Sequence, residues 1–466
     1  MLFNSYPFIF VFLPVTLLCY FYLNRRHLTL AAKGWLAAAS LFFYGWFNLQ
    51  YIPILLGSIF FNFFLGKRLI ATRQERKSQG RKRLLQFALA VNISVLVYFK
   101  YTDFFLENIN LLFGSDWPLW NLVLPLGISF FTITQLTYLV DSYEGLVKKS
   151  DFLDYFLFVT FFPHLLMGPI LHHKQMMPQF DRLRSKLFQA DWFMSGIALF
   201  TLGLAKKVLL ADAFARIANP GFVAPEMLSS GAAWVVSFAY TFQLYFDFSG
   251  YSDMALGIGR MFNIRLPINF NSPYKAKTII EFWQRWHISL TQFITTYLYT
   301  PIFRAFGKFT FPYAMAATFL AMMIAGLWHQ AGWGFLLFYA LHATGLVVNH
   351  WWRRQGWKVP AALAWAATFL FVNGTLVILR SPDLTTAFTF FRAMLGRSGG
   401  TTPEYLTMEV AILFGVGAAL AFCGKNSQDT ADSLSPSWTS ALLLALLLLA
   451  ALLNLNQVSE FLYFKF

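Results

Sequence analysis

The chain has 466 residues, of which 58% are hydrophobic and only 12% are charged, and its mean hydropathy is +0.54. Soluble domains carry about 25% charged residues, so this composition excludes an ordinary soluble protein and predicts an all-α polytopic membrane protein. Lys and Arg number 36 against 21 Asp and Glu. These basic residues fall in short loops between apolar runs, which is the pattern of the positive-inside rule and argues against a nucleic-acid partner.

Apolar runs of bilayer-spanning length recur along the whole chain. The first four predicted spans cover residues 7–23, 30–47, 51–65 and 84–100. A strongly basic loop at 67–83 lies between the last two of these, and the positive-inside rule places it in the cytoplasm. Counted to the C-terminus, the pattern predicts about eleven spans with re-entrant pieces, in a single integral-membrane domain over residues 1–466.

One predicted segment is not typical of a straight helix. The run F-V-T-F-F-P-H-L-L-M-G-P-I-L-H-H-K contains Pro163, Gly168 and Pro169. Proline removes a backbone donor and clashes with the preceding turn, and irregular backbone at membrane depth is tolerated only where it is buried in protein or lines a cavity. We therefore predict a broken or re-entrant segment here.

The polar, aromatic region 269–329 is the predicted core of the protein. Thr278-x-x-Glu281 is a capping box, which predicts that a helix starts at Thr278. Aromatic and aliphatic residues then recur at helical spacing, with one imidazole among them. This predicted helical stripe comprises Trp283, His287, Leu290, Ile294 and Tyr297.

Four titratable side chains lie in or beside apolar stretches. His329 ends an uncharged run over residues 309–328, and Asp247 and Asp253 interrupt another apolar segment. Such groups are costly unless they face protein or a water-filled cavity, and they often mark function, as His287 does within its stripe. Each also has a structural interpretation, because a histidine within a membrane can simply hydrogen-bond a neighbouring helix. For His342 the structural interpretation is favoured.

The sequence offers no metal-binding or nucleotide-hydrolysing motif. There is no H-E-x-x-H, no Cys/His cluster with ligand spacing, no G-x-x-x-x-G-K-[ST] loop and no G-x-S-x-G elbow, and so we expect no metal. General acid–base catalysis by histidine remains. A neutral imidazole can take the proton of a hydroxyl as its oxygen attacks a carbonyl, which suits acyl transfer.

Several motifs, taken together and in order, resemble the membrane-bound O-acyltransferase family, and within it the bacterial alginate, polysaccharide and peptidoglycan O-acetylation proteins. They are M-L-F-N-S-Y-P-F-I-F-V-F-L-P, Y-F-K-Y, L-P-L-G-I-S-F, F-P-H-L-L-M-G-P-I, Q-L-Y-F-D-F-S-G-Y-S-D-M-A, F-W-Q-R-W-H-I-S-L and G-L-W-H. The resemblance implies a helical bundle around a central tunnel. It also implies that His329 is the catalytic histidine and His287 the second signature histidine, on the cytoplasmic side.

The same resemblance implies an enzyme of the bacterial inner membrane that holds no bound cofactor and takes acetyl groups from cytoplasmic acetyl-CoA. The acetyl group would cross to modify an extracytoplasmic glycan, such as alginate, cellulose or peptidoglycan. Implied partners are a periplasmic acetyltransferase, a polysaccharide synthesis and export complex, and membrane lipids. Further candidate residues for substrate or tunnel contact are Asp247, Asp253, Arg285, Trp286 and Trp328.

Two alternatives remain open at the level of sequence. One is D-alanyl transfer to teichoic acid, with a thioester carrier protein docking at the cytoplasmic face. The other is a transporter that moves a lipid-linked glycan without acyl chemistry, because charged residues inside helices suit transport equally well.

Overall fold

The computed structural model describes residues 1–74, 78–149, 151–397, 400, 407–455 and 461–462. Every regular element among these residues is helical, and no β-strand occurs within them. The prediction of an all-α protein is therefore confirmed. A helix satisfies its own backbone hydrogen bonds, which is what a largely apolar chain requires where water is absent.

The α-helices are numbered in chain order. Those that begin before residue 190 are α1 (Leu13–Arg25), α2 (Thr29–Gly45), α3 (Ile52–Ala71), α4 (Gln79–Phe113), α5 (Ile128–Tyr143), α6 (Phe152–Thr160), α7 (Phe162–Leu165), α8 (His173–Asp181) and α9 (Leu183–Lys186). Those that begin later are α10 (Ala190–Ala205), α11 (Asp212–Val223), α12 (Ser230–Met261), α13 (Ile279–Arg285), α14 (Ile288–Phe293), α15 (Thr300–Ala305), α16 (Phe311–His329), α17 (Trp333–Gln355), α18 (Ala361–Arg380), α19 (Leu384–Met394), α20 (Met408–Ala418), α21 (Ser427–Ser433) and α22 (Trp438–Leu453). Short π-helical stretches lie at Phe8–Phe12, Lys206–Ala211, Ile294–Tyr299 and Ala419–Cys423, and 3₁₀ turns lie at Leu49–Tyr51, Pro225–Met227 and Pro273–Lys275.

Six helical stretches among the described residues are long and apolar enough to cross a membrane. They are Phe8–Arg25, Leu49–Ala71, Gln79–Phe113, Ala190–Val223, Phe311–His329 and Ala361–Arg380. A pair of helices bent by 78°, Met408–Cys423 with Ser427–Ser433, makes a seventh if it is counted as one span. The chain is therefore a multi-pass membrane protein.

Several other predicted spans form helices that are shorter or more polar. Helix α2 has 17 residues and α5 has 16, which is fewer than the roughly 20 that cross a bilayer without tilt. Helix α12 has 32 residues but carries Asp247, Asp253 and Arg260. The larger number of spans and the central tunnel stay predictions.

The segment predicted to be broken is indeed interrupted. Helix α6 ends at Thr160, the one-turn helix α7 follows, and no helix resumes until His173. Gly168 is required in this bend, because a Cβ there would collide with the Cα of His164. The buried irregular backbone matches the rule that such segments at membrane depth are covered by protein.

The chain forms two compact units. The first contains Met1–Phe200 and Met254–Pro267, and the second contains Thr201–Asp253 and Ile268–Phe466. The predicted core at 269–329 lies entirely in the second unit. A single integral-membrane domain over the whole chain stays a prediction.

In the first unit, buried amide side chains connect helices α3 to α6. Asn62 and Asn92 exchange two hydrogen bonds of 2.9 and 2.7 Å, and Asn62 also donates to Oε1 of Gln135 at 2.6 Å. Gln135 donates in turn to the hydroxyl of Ser58 at 3.0 Å, and the hydroxyl of Tyr155 donates to Oε1 of Gln135 at 3.2 Å. We call these residues the amide network. Hydrogen bonds of this kind hold helices together where apolar surface alone gives little preference.

In the second unit, helices α16 and α17 form a tight hairpin. They are separated only by residues 330–332, and Gly326 of α16 packs directly on Tyr339 of α17. A Cβ at Gly326 would lie 2.8 Å from the Cβ of Tyr339, so the close approach requires glycine. The hairpin holds His329, the last residue of α16, beside the first turns of α17.

Candidate functional site

Helix α13 begins where the capping box predicted. The hydroxyl of Thr278 accepts a hydrogen bond of 3.1 Å from the backbone N–H of Glu281. The Glu281 carboxylate accepts from the backbone N–H of Lys277 at 2.8 Å, one residue before the usual partner. The start at Thr278 is confirmed, and the cap fixes the direction of α13, which carries Trp283 and ends just before Trp286.

The continuous helix predicted through His287 is wrong. Helix α13 ends at Arg285, the backbone of Trp286 is extended, and His287 adopts the left-handed conformation with φ 43° and ψ 54°. The segment 269–271 captures the freed backbone groups: it donates to the carbonyl of Arg285 at 2.9 Å and accepts from the N–H of Ile288 at 3.0 Å. A left-handed non-glycine residue costs about 1–3 kcal/mol and is typical of functional sites.

His287 is held at this break by a buried polar cluster. Its ring is 2% exposed, and its Nδ1 lies 3.3 Å from Oδ1 of Asn269. The same oxygen accepts from the hydroxyl of Ser289 at 2.6 Å and from its backbone N–H at 3.2 Å. Nε2 of His287 is buried without a hydrogen-bond partner. His287 lies outside the six candidate spans, and burial lowers the pKa of its imidazole to about 3, so the ring is neutral at pH 7.

His329 lies among aromatic rings. Its imidazole is 5.3 Å from the ring of Trp328, 5.6 Å from that of Phe335 and 5.9 Å from that of Tyr339, measured between centroids. Phe335 and Tyr339 belong to the first turns of α17. Their positions follow from the tight turn and from the close packing at Gly326.

The two histidines line one cavity of the second unit, with about 570 Å³ of empty space that includes an opening. The rest of the lining is aliphatic and aromatic, and it includes Trp283, Trp286 and Tyr339. Among the described residues of this lining there is no carboxylate. The arrangement places two imidazoles against a small apolar space, where an uncharged group fits and where a proton can be accepted.

Of the other candidate residues, Trp286 lines this cavity and Trp328 packs on the ring of His329. Arg285 does not line it. Its guanidinium pairs with Glu281 at 2.9 Å and donates to the carbonyl of Asn271 at 3.1 Å, which stabilises the end of α13.

Asp247 and Asp253 also lie away from this cavity, and both are paired with lysines. Asp253 accepts from Lys206 at 2.8 Å and Asp247 accepts from Lys207 at 2.7 Å. Both carboxylates are buried, which agrees with the prediction that they face the interior. Pairing makes these charges tolerable in an apolar environment.

Lys207 is the centre of a larger cluster. It is 1% exposed, and it also pairs with Asp212 at 2.8 Å. The second oxygen of Asp247 accepts from the backbone N–H of Leu462 at 2.9 Å, and the ring of Phe461 lies 4.7 Å from the Lys207 ammonium. Spacing in the sequence does not predict these ion pairs, because Lys206 and Lys207 are distant in the chain from Asp253 and Asp247.

His342 is a buried histidine with both ring nitrogens in hydrogen bonds. Trp283 donates from its indole N–H to Nδ1 at 3.1 Å, and Nε2 lies 2.9 Å from the hydroxyl of Thr375. Because an indole N–H can only donate, Nε2 carries the proton. His342 of α17 thus connects the cavity-lining Trp283 of α13 to Thr375 of α18.

Sequence reasoning did not find Asn269, Phe335 or Tyr339. Asn269 precedes the cap by nine positions and has no spacing relationship to His287 that a helical pattern could reveal. The two aromatic residues resemble ordinary core positions of α17. Among the described residues, no group of three or more His, Cys, Asp or Glu side chains is arranged to hold a metal ion.

This all-helical membrane protein places two imidazoles, which are groups that can accept or donate a proton, in one aromatic cavity. The sequence profile of the membrane-bound O-acyltransferase family (MBOAT) matches residues 17–378. The chain is 39% identical to the peptidoglycan O-acetyltransferase of Helicobacter pylori over an alignment 522 positions long, gaps included, which covers 100% of this chain and 98% of that protein.

Two further relatives differ in name and coverage. The probable alginate O-acetylase AlgI of Pseudomonas aeruginosa is 36% identical over 403 residues, or 84% of this chain and 75% of that protein. The teichoic acid D-alanyltransferase of Streptococcus thermophilus is 30% identical over 246 residues, or 49% of this chain and 58% of that protein. The chain belongs to the membrane-bound O-acyltransferase family, as its motifs predicted, and it is an O-acyltransferase.

Proposed function

We propose that this enzyme takes an acetyl group from acetyl-CoA on the cytoplasmic side of a bacterial inner membrane and passes it across for O-acetylation of an extracytoplasmic glycan. The glycan is peptidoglycan or an exopolysaccharide such as alginate or cellulose. One observation carries the proposal: His287 and His329 line the same small, otherwise apolar cavity. Relatives that align with most or all of the chain are named for glycan O-acetylation, which supports the acceptor class.

In the proposed reaction, His329 acts as the general base. Its neutral imidazole takes the proton of the acceptor hydroxyl while the hydroxyl oxygen bonds to the thioester carbonyl carbon. The carbon–sulfur bond then breaks, the leaving thiolate takes that proton from the His329 imidazolium, and an acetyl ester remains. His287 assists at the same cavity through its neutral ring.

Acetyl transfer fits this cavity better than D-alanyl transfer. A D-alanyl group carries an ammonium, and the described lining of the cavity has no carboxylate to pair with it. The teichoic acid relative aligns with only 49% of this chain. Membership of an acyltransferase family decides against a transporter without acyl chemistry.

The test is glycan acetylation in cells that carry His329→Ala. We expect loss of acetylation at normal abundance of the protein, whereas His350→Ala, a half-buried histidine of α17 that does not line the cavity, should retain it. Normal acetylation with His329→Ala would reject the role. Purified protein given acetyl-CoA or a D-alanyl thioester, with release of free thiol as the signal, separates the two donors.

A further inference from the structure

Asn269 lies in the extended segment between α12 and α13 and is 1% exposed. Its side chain contacts His287 and Ser289, and its Nδ2 lies 3.5 Å from the hydroxyl of Ser252 on α12. Its backbone carbonyl accepts from the N–H of Ile288. One residue therefore holds both the backbone and the side chain at the break in the helix.

The orientation of the Asn269 amide follows from its partners. The backbone N–H of Ser289 points at the atom assigned as Oδ1, at 3.2 Å. A backbone N–H can only donate, so the atom that it meets must be the oxygen and not the amide nitrogen. The hydroxyl of Ser289, at 2.6 Å from the same atom, is consistent with this assignment because it can donate as well.

The tautomer of His287 follows from the position of that oxygen. Nδ1 of His287 faces the Asn269 oxygen at 3.3 Å, and two groups in contact must be one donor and one acceptor. In a neutral imidazole only one nitrogen carries hydrogen, so Nδ1 is protonated and Nε2 has a bare lone pair. Among the residues that the structure describes, none makes a hydrogen bond to Nε2.

We propose that Asn269 is a positioning residue of the acyl-transfer site, which holds His287 as its Nδ1–H tautomer and thereby keeps Nε2 available to accept a hydrogen bond from a substrate hydroxyl in the cavity. The inference rests on the proposed function, in which His287 assists acyl transfer. It extends that function by assigning the acceptor atom and the residue that controls it. An imidazole without this fixed partner could take the other tautomer, in which Nε2 donates and cannot accept.

The direct test is the tautomer itself, measured by ¹⁵N NMR on purified protein with labelled histidine. Protonated and bare imidazole nitrogens give well-separated signals, and the His287 signals are identified by their loss in His287→Gln. We expect Nδ1–H in the unaltered protein and a mixture of tautomers in Asn269→Leu. Unchanged Nδ1–H in Asn269→Leu would overturn the inference, whatever the protein's activity.

The second test measures the kinetics of acyl transfer. In Asn269→Leu we expect kcat for acyl transfer to fall about 10- to 100-fold with little change in KM, as for other residues that orient a functional histidine. The matched control is Asn373→Leu, another buried asparagine of the second unit, whose amide bonds Thr241 and Ser237 and does not contact His287. It should keep both the tautomer and kcat.

Asn269→Asp distinguishes positioning from packing. The aspartate keeps an acceptor for His287, but its charge stabilises the imidazolium and raises the pKa of His287. The rate should then rise with pH through that raised pKa, whereas the unaltered protein should show no such step from His287. The other titratable groups lining the cavity are His329 and Tyr339, which both proteins share. A flat profile for Asn269→Asp would count against the inference.

The experiments distinguish failure of the proposed function from failure of the inference about Asn269. If the unaltered protein releases no thiol from acetyl-CoA, the proposed donor is wrong, while the NMR result still decides whether Asn269 sets the tautomer. If Asn269→Leu does not fold, Asn269→Asp keeps the acceptor oxygen for His287, and its pH–rate profile decides the inference.

Discussion

Two buried polar clusters in this protein differ in one respect. In the amide network of the first unit, every side-chain oxygen and nitrogen of Asn62, Asn92 and Gln135 has a hydrogen-bond partner. In the cluster around His287, Nδ1 has a partner and Nε2 has none among the described residues. The first cluster has no unpartnered amide atom, whereas His287 of the second cluster lines a cavity.

The difference indicates how a polar group within a membrane protein can be interpreted. A buried donor or acceptor without a partner costs about 1–3 kcal/mol, so a fully paired cluster is explained by stability alone. A nitrogen left unpaired beside a cavity is not explained in that way. The backbone of His287, held in the left-handed region, adds a further cost at the same residue.

The largest effect should come from the unpaired nitrogen. His287→Gln keeps a polar side chain but removes the Nε2 lone pair that accepts the substrate's hydrogen bond, and we expect acyl transfer to fall by about 10²–10³-fold. Abundance in the membrane should stay close to that of the unaltered protein. Thiol release by purified protein measures the effect, and activity within twofold would remove His287 from the reaction.

The amide network should respond in the opposite way. Asn62→Leu leaves Oδ1 of Asn92 buried without its donor, while Oε1 of Gln135 keeps the Tyr155 hydroxyl, so we expect the free energy of unfolding to drop by about 1–3 kcal/mol. Thermal unfolding in detergent measures this loss. The activity per folded molecule should not change. A loss of activity as large as that of His287→Gln would show that the two clusters do not differ in their effect on catalysis.

The cap of α13 is a hydrogen-bonded group that does not line the cavity but holds the helix that does. Thr278→Ala should lower the free energy of unfolding by about 1 kcal/mol and raise KM, because α13 carries the cavity-lining Trp283 and leads directly to Trp286. Thr407→Ala removes an equivalent cap, at α20. It should lower stability by a similar amount and leave KM unchanged; equal KM effects would show that the cap acts only through stability.

The smallest effect concerns coupling within the amide network. Combining Asn62→Leu with Asn92→Leu should destabilise the protein by less than the sum of the single changes, because each single change leaves a partner unpaired. Pairs of this kind in a membrane protein average about 0.6 kcal/mol. A double-mutant cycle of unfolding free energies gives the value, and strict additivity would mean that the two amides are independent.

The sequence predicted those features that depend on neighbouring residues. The capping box at Thr278 and the break near Gly168 were found because their signals lie within a few positions. The stop of α13 at Arg285 was missed, because the groups that capture its backbone come from 269–271. The helical spacing of apolar residues continues past His287, so the pattern alone does not predict that the helix ends.

Long-range pairing explains the other omissions. Asp247 and Asp253 were identified as interior carboxylates, but Lys206 and Lys207 lie about forty positions earlier in the chain, and a spacing rule gives no reason to join them. Asn269 was missed for a similar reason, since its importance depends on where a left-handed turn aims one ring nitrogen. Their apolar surroundings marked both histidines as candidates and the family resemblance implied their roles, but the cavity that they share appears only in three dimensions.

The cluster at Lys207 has a practical consequence for anyone who shortens or labels this protein. Phe461 and Leu462 close over the lysine and Asp247, so a version truncated at residue 455 would lose both the covering ring and the N–H donor to the carboxylate. An affinity tag appended after Phe466 keeps them. Detergent extraction yields should be compared between two such versions before any variant's loss of activity is attributed to chemistry.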